Sequence, residues 1–391
     1  MHPKESRLRY NNSHLVNKAS VFESLSFDSP ATIKQVAGST RLSTPTVTKA
    51  LSHLQEIGLV TEKGRKDQPK GRKPTLFGLS EGYYWLGIDL EIPDLRIAVY
   101  DLAKRLIKSK KDFVCVDEQD GDVERYLPGS VIDKVKGFLQ AQDISVSSIL
   151  GEGVGVPGMV SEGTFKPFSR LKNPPSIPLK EPLEKKLDIP TVIGNDVDLE
   201  LLAELDRRSL LEEPGVVAVY LAARPSKATH NSVRIGGSVF HDGTILQGAM
   251  GSANEFGHTS VSRGDHGELK CNCGNPKCLE TYVNQKISGA PAGRLPEEVV
   301  EVLTDKLKDL IFLYNPSLLI VDLLAFPQLS SPVLEGINQF IELRHGHLDF
   351  DGPEVVTPGD SEMACARGAC IKSFQNMAVN PEKYPILSQD S

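Results

Sequence analysis

Three cysteines within eight residues, Cys271, Cys273 and Cys278 in CNCGNPKCLE, constrain the fold of this chain more than any other feature. Thiols packed this closely are expected as metal ligands rather than as disulfide partners. His258, in the preceding EFGH segment, supplies a fourth donor. One imidazole and three thiolates form the closed tetrahedral set of a structural zinc site. Gly274 gives the loop freedom to turn between the sulfurs. The expectation is one structural zinc per chain, held by His258, Cys271, Cys273 and Cys278, so the fold must bring residues 258 and 271–278 to one point. The plainer alternative is a group of free thiols beside an unrelated histidine.

Elsewhere the chain reads as an ordinary soluble protein of two or three domains, with 391 residues, 39% hydrophobic and 24% charged. No run approaches the roughly 18 uncharged apolar residues of a membrane helix. The opening MHPKESRLRYNNSH lacks the apolar stretch of a signal peptide. A cytoplasmic location without a membrane segment is therefore expected. Charge is unevenly spread: residues 1–80 hold 13 Lys/Arg against 6 Asp/Glu, whereas the remainder holds 31 against 45. A basic head on an acidic body points to a polyanionic partner for the head.

The head is also patterned. HLVNKASVFESL places Leu15, Val16, Ala19, Val21, Phe22 and Leu25 at helical spacing. TIKQ, from Thr32, has the form of a capping box. After a short turn, Ser43 caps a third helix with Pro45 in its first turn and Val47, Ala50, Leu51 and Leu54 facing inward. Two helices joined by a short turn make a helix-turn-helix, whose second helix enters the major groove. Its outward residues include Ser43, Thr44, Thr46, Thr48, Lys49 and His53. LVTEKGRKDQPKGRKPTLFGLS then reads as a hairpin wing whose Arg65, Lys66, Lys70, Arg72 and Lys73 are placed to meet phosphates or a minor groove. A charge run alone is a solvated face, and three helices alone are a small core. Their order together points to DNA.

From Tyr84 the pattern changes. YYWLGIDLEI, LRIAVYDL and KDFVCV read as consecutive strands, followed by a helix around 130–142 and a buried strand ending at Gly158. PTVIGNDVDLELLAELDRR reads as a strand running into a helix, and PGVVAVYLAA opens a second set of strands. Helices near 296–314 and 362–375 flank SLLIVDLL. Pattern alone gives an α/β domain. The order suits two ribonuclease-H-like lobes, as in actin and sugar kinases, with the second lobe from about residue 215. Expected domains are a winged helix-turn-helix over 1–80 and a sugar-binding and oligomerisation body over 81–391, with the zinc site at 258–278.

LSTPTVTKALSHLQEIGLV with the later GRKP, GVGVPG (153–158), GND (194–196), EFGH and CNCGNPKCLE together resemble the ROK family of repressors, open reading frames and kinases. Two departures are Arg41 and Lys277, where the family commonly has glycine. The resemblance implies that Asn195, Asp196, Glu255, His258 and Glu280, with Gly158, line a sugar pocket, and that His258 offers one ring nitrogen to zinc and the other to a sugar hydroxyl. It further implies a sugar-responsive repressor with operator DNA and a sugar or sugar phosphate as partners, acting as a homodimer or homotetramer.

In the family's kinases Asp196 would be the base, and glycine-rich turns would hold ATP phosphates. The first turn, Asp-x-Gly-Gly-Thr, is here Asp89-Leu90-Glu91-Ile92-Pro93-Asp94. His230-Asn231-Ser232-Val233-Arg234 stands where Gly-Thr-Gly precedes Ile-Gly, and Asp322-Leu323-Leu324 stands where a Gly-Gly pair is usual. A regulator rather than an enzyme is expected. The rivals are an ATP-dependent sugar kinase with a DNA-binding head, and a zinc-containing interaction module with neither ligand.

Overall fold

The computed structural model describes residues 13–27, 29–67, 73–114, 123–166, 176–225, 232–262, 271, 273–288, 296–348, 351–359 and 362–388. The head begins with α1 (Ser13–Phe27), which buries Ala19, Val21, Phe22 and Leu25. A two-residue strand β1 (Ala31–Thr32) leads into α2 (Ile33–Thr40). Thr32 Oγ1 accepts from the Gln35 amide at 3.3 Å, and the Gln35 side chain accepts from the Thr32 amide at 3.1 Å, so two orphan donors of the first turn are satisfied. At the other end Arg41 takes the left-handed conformation, φ 56°, that helices use to stop. The turn is thus made without the expected glycine. Helix α3 (Thr44–Glu56) buries Val47, Ala50, Leu51 and Leu54. Strands β2 (Val60–Arg65) and β3 (Thr75–Leu79) pair antiparallel, Val60 opposite Leu79, and β1 adds to β3.

Beyond the head run β4 (Tyr84–Glu91), β5 (Asp94–Asp101), β6 (Leu106–Phe113), α4 (Val123–Ala141), β7 (Ile149–Val156), β8 (Met159–Ser161), β9 (Thr164–Lys166), β10 (Ile177–Pro178), α5 (Lys180–Leu187) and β11 (Thr191–Asn195). There follow α6 (Asp196–Arg207), β12 (Val217–Pro225), β13 (Val233–His241), β14 (Thr244–Ile245), α7 (Leu279–Ser288), α8 (Glu297–Tyr314), β15 (Leu318–Asp322), α9 (Pro327–Leu348), β16 (Glu354–Val356), α10 (Ala364–Val379) and α11 (Pro385–Ser388). The chain divides into two compact units: residues 1–155, 178–194 and 369–391, and residues 156–177 and 195–368.

The first unit holds a sheet ordered β11-β7-β4-β5-β6, and the second a sheet ordered β14-β13-β12-β15-β16. In each, the first strand is central, pairing antiparallel with the second and parallel with the fourth. The shared order is the one expected of two ribonuclease-H-like lobes. Two elements differ from the sequence reading. The third strand, Leu106–Phe113, starts well before KDFVCV and shares Lys111–Phe113 with it, Cys115 and Val116 lying outside the described residues; nearly all its side chains are exposed, so it lacks the apolar alternation that marks a strand. Helix α9 has no counterpart in the sequence reading, because Pro327, Pro332 and Gly336 interrupt its pattern, yet it buries Leu329, Val333 and Ile337.

In the first unit the carboxy-terminal segment packs against both head and sheet. The Phe374 ring lies 5.6 Å from Trp85 on β4 and 6.2 Å from Phe22 on α1, and Lys18 donates to the Leu387 carbonyl at 3.4 Å. The close approach of α10 explains Gly153 of GVGVPG: a β-carbon there would stand 1.9 Å from the Ala369 carbonyl oxygen.

Glu152 is fully buried in β7. One of its oxygens accepts from Thr191 Oγ1 at 2.9 Å, while the other has no hydrogen-bond partner. Burial pushes its pKa up from 4.5 to about 8, so it is protonated in the native state at neutral pH. The native state then holds a proton that the unfolded chain releases above pH 4.5. The contribution of this group is full below about 4.5 and lost as pH rises through about 8. Urea midpoints of the wild type are expected to fall across that window. Glu152→Gln should flatten the slope and be the more stable form at the alkaline end; equal slopes would show that Glu152 is ionised in the native state.

Candidate functional site

The metal-ligating set lies in the second unit. His258 ends a short 3-10 turn, Phe256–His258, and Cys278 immediately precedes α7. The two segments are laced together: Leu279 N donates to Thr259 O and Val261 N to Lys277 O. Cys271 Sγ lies 3.3 Å from His258 Nδ1, Cys273 Sγ lies 3.3 Å from Cys278 Sγ, and all four donor atoms fall within 4.8 Å of one another. A tetrahedral zinc with sulfur at about 2.3 Å needs ligand separations near 3.8 Å, which this spread brackets. Gly274 supplies the turn at φ +89°, and the Asn275 side chain fastens the loop by donating to His258 O and Ser260 Oγ. Burial and the neighbouring thiols hold Cys278 well above the ordinary thiol range. Burial also lowers the His258 pKa, keeping the imidazole in the neutral form that ligates metal. The donor set and its spacing fit a divalent metal bound through thiolates.

A pocket in the same unit is lined by Gly158, Asn195, Asp196, Glu255, His258 and Glu280, all six residues expected from the sequence. Asn195 caps α6, its oxygen accepting from Val197 N at 2.9 Å and Asp198 N at 3.2 Å. Its nitrogen donates to Gly158 O at 3.0 Å, so one amide joins the helix start to the Gly158 turn. Glu280 accepts from Ile235 N at 2.8 Å, which makes it a support for β13 as well as a pocket residue. Burial, followed by the charges of Asp196, Asp198 and Glu280, raises Glu255 to about 7. The pocket thus presents carboxylates, an amide and an imidazole from separate stretches of chain, the acceptor-rich lining that adjacent hydroxyls require.

Sequence reasoning missed Asp198, Arg224, Arg234 and Gln247, which also line the pocket. Asp198 was within reach, two residues beyond Asp196 on the α6 start; its carboxylate accepts from Ser238 Oγ at 2.6 Å. Arg224 carried no local signal. It is clamped by both oxygens of Glu200 on α6 and, at 2.7 Å, by Asp322 at the end of β15, which also accepts from the Tyr220 hydroxyl at 3.1 Å. Asp322 stands where the resemblance places a glycine pair, so a buried ionic cluster occupies that position. Burial raises the Glu200 carboxyl, and the charge of Arg224 beside it works in the opposite direction. The retained glycine Gly237 has a packing role: a β-carbon there would lie 2.0 Å from the Phe256 ring.

In the head, the third helix exposes Ser43, Thr44, Thr48 and Lys49, with Thr46 half-buried. Several of these hydroxyls bond locally: Ser43 Oγ accepts from Thr46 N and meets Thr46 Oγ1, and Thr48 Oγ1 donates to Thr44 O at 2.8 Å. Ser43 is therefore a helix cap whatever else it touches. Arg65 and Lys66 are exposed on or beside β2, and Lys73 meets Asp67 at 2.5 Å across the hairpin. Arg72 lies outside the described residues.

A xylose repressor from Caldicellulosiruptor bescii is 26% identical over 265 residues, covering 66% of this chain and 61% of the repressor. The matched segment is thus less than two thirds of that protein. A glucokinase from Halalkalibacterium halodurans is 25% identical over 202 residues, covering 51% of this chain and 56% of the enzyme. Among solved structures, a ROK family transcriptional regulator described as a homologue of the E. coli MLC protein superposes with a TM-score of 0.72 at 19% identity, covering 96% of this chain and 99% of that one. That likeness establishes the actin-like fold with its amino-terminal helices. The family model described as ROK family matches residues 86–290, more than half of the sequence, and the chain belongs to the ROK family.

Proposed function

We propose that this chain is a DNA-binding transcriptional regulator, a repressor of carbohydrate-metabolism genes, whose hold on operator DNA is controlled by a sugar or sugar phosphate. One observation carries the reading: a single polypeptide joins a winged helix with exposed Lys49, Arg65 and Lys66 to a pocket where Asn195, Asp196, Glu255, His258 and Glu280 converge. In the head, the cations serve phosphates and the exposed hydroxyls of Thr44 and Thr48 serve base edges. A DNA partner implies a cytoplasmic setting; among the described residues no helix is long and apolar enough to cross a membrane.

In the pocket, Asp196 and Glu255 accept hydrogen bonds from hydroxyls while the Asn195 amide fixes the start of α6 against the Gly158 turn. His258 donates or accepts through Nε2, because Nδ1 faces Cys271. When bound by His258, Cys271, Cys273 and Cys278, zinc would supply rigidity, setting the imidazole plane relative to the pocket. Phosphoryl transfer lacks support. In the first-turn segment Asp89 and Glu91 are carboxylates paired with Arg96, at 2.5 and 3.7 Å, rather than amides open to phosphate. The glucokinase relative keeps the kinase reading alive as the alternative, with Asp196 as its base.

Four outcomes are expected. Purified protein should contain about one zinc per chain by metal analysis, and Cys273→Ser should lower both zinc content and sugar affinity; a folded wild type free of metal would sink the assignment. A coupled assay with ATP across common hexoses, pentoses and amino sugars should show no turnover above background, whereas robust turnover abolished by Asp196→Asn would establish the kinase. Calorimetric titration of the effector with and without operator should give sugar affinities differing by the same factor, roughly five- to 150-fold, by which sugar changes operator affinity. Lys49→Ala should weaken operator binding and lower its salt dependence without changing sugar affinity. Identical sugar affinities in the two titrations would mean that the pocket does not control DNA binding.

A further inference from the structure

Residues 104–113, KRLIKSKKDF, carry five cations, Lys104, Arg105, Lys108, Lys110 and Lys111, against one acid, Asp112. The chain beyond residue 80 has the opposite balance, 31 Lys/Arg against 45 Asp/Glu. A run of this sign within an acidic body makes a local positive field. The segment forms β6 and the turn before it, and β6 stands last in the order of the first unit's sheet.

Lys104 is buried, its Nζ 4.6 Å from the Phe374 ring, whereas every side chain from Arg105 to Lys111 is exposed. The two acids beside the run are already engaged. Asp101 meets Arg105 at 2.7 Å, and Asp112 is shared by Lys110 at 2.6 Å and Lys134 of α4 at 2.7 Å. Hydrogen bonds from Lys110 and then Lys134 hold the Asp112 carboxyl well below the ordinary carboxylate range. Across the ladder from Lys108, Ser109 and Lys110 stand Val99, Ala98 and Ile97, which bring no further acid. The strand therefore keeps a net positive surface.

Lysine on an edge strand deters pairing with another chain, and that is the plain account of the run. Its place in the fold adds to that account. The winged head and β6 belong to the same compact unit. A cleft in that unit is walled by Ser26, Ser29 and Lys63 of the head on one side and by Asp101, Arg105 and Ile107 of the β5–β6 hairpin on the other. The basic strand thus begins beside β2 of the wing and leads out of the cleft. At about 3.3 Å per residue it runs alongside roughly seven phosphates of one DNA strand.

We propose that β6 is a second DNA-contact surface, on which Arg105, Lys108, Lys110 and Lys111 meet backbone phosphates of the duplex flanking the segment read by the head. The inference rests on the DNA-binding reading and extends it from the winged helix to the sheet behind it. Contacts of this kind add affinity and footprint length but no base preference. Each phosphate neutralised releases counterions and steepens the logarithmic salt dependence by about 0.9.

Flank length separates this surface from the head. A duplex selected on the full-length wild type from a random-sequence pool is prepared as its bare core and with one helical turn, about 10 bp, added at each end. The wild type should bind the longer duplex roughly tenfold more tightly and with a steeper salt slope. The triple variant Lys108→Ala, Lys110→Ala and Lys111→Ala should lose that gain, while its affinity for the core duplex, circular dichroism, zinc content and sugar affinity stay at wild-type values. Lys108→Arg, Lys110→Arg and Lys111→Arg together should preserve the gain, because charge alone is required. Lys49→Ala should weaken binding to both lengths equally. A wild type that binds both lengths alike, or an alanine triple variant that keeps the full gain, would overturn the proposal and leave the lysines as a guard against strand pairing. A wild type that selects no duplex at all would refute the DNA-binding reading itself, and this surface with it.

Discussion

Asn195 sits where the pocket either exists or does not. Its side-chain oxygen takes two amides at the start of α6 and its nitrogen holds the carbonyl of Gly158. A helix cap of this kind is worth about 1 kcal/mol in stability, but its larger effect is positional. The cap sets the first turn of α6, which carries Asp196 and Asp198, against the Gly158 turn, whose φ of +100° leaves the backbone close to the pocket. Glu255, facing these carboxylates from another stretch of chain, is pushed up to about 7 by burial and by their charges.

The rest of the second unit is arranged around that helix. Two residues along, Asp198 holds Ser238 of β13; one turn after Asp196, Glu200 clamps Arg224 of β12, which also meets Asp322 of β15. Taking an arginine and two carboxylates out of water is costly, and such a cluster stabilises only when every member is paired. Here it ties one helix to two strands at the place where a nucleotide-binding relative would keep open glycine backbone. The residue that stands at the expected glycine pair thus braces helix α6. His258 joins this frame to the metal loop, because its Nδ1 meets the Cys271 sulfur and the same residue lines the pocket.

Much of the local architecture was legible in the sequence. The Thr32 capping box, the Ser43 cap with Pro45 behind it, the inward apolar spacing of α3 and the cysteine loop are all set by residues within one or two turns of each other, where spacing alone dictates which groups meet. The six expected pocket residues were placed by motif resemblance and meet in one cavity, although composition would have left each as an ordinary surface acid or cap. Strand β6 and helix α9 were misread for local reasons: one has exposed side chains on both faces, and the other has prolines where a helix pattern is expected to stop.

Tertiary structure alone decided the partners that lie far apart along the chain. Nothing near Arg224 announces Asp322, nothing near Phe22 announces Phe374, and the Leu387 carbonyl that receives Lys18 is 369 residues away. The burial that moves Glu152 to about 8 is likewise a property of the whole first unit, since the same glutamate in an isolated strand would titrate normally. Helix caps, turn glycines and closely spaced ligands depend on backbone geometry over a few residues and so were determined by the sequence directly. Ion-pair clusters, aromatic contacts and shifted carboxylates depend on which distant surfaces exclude water from one another, and only the packed chain decides that.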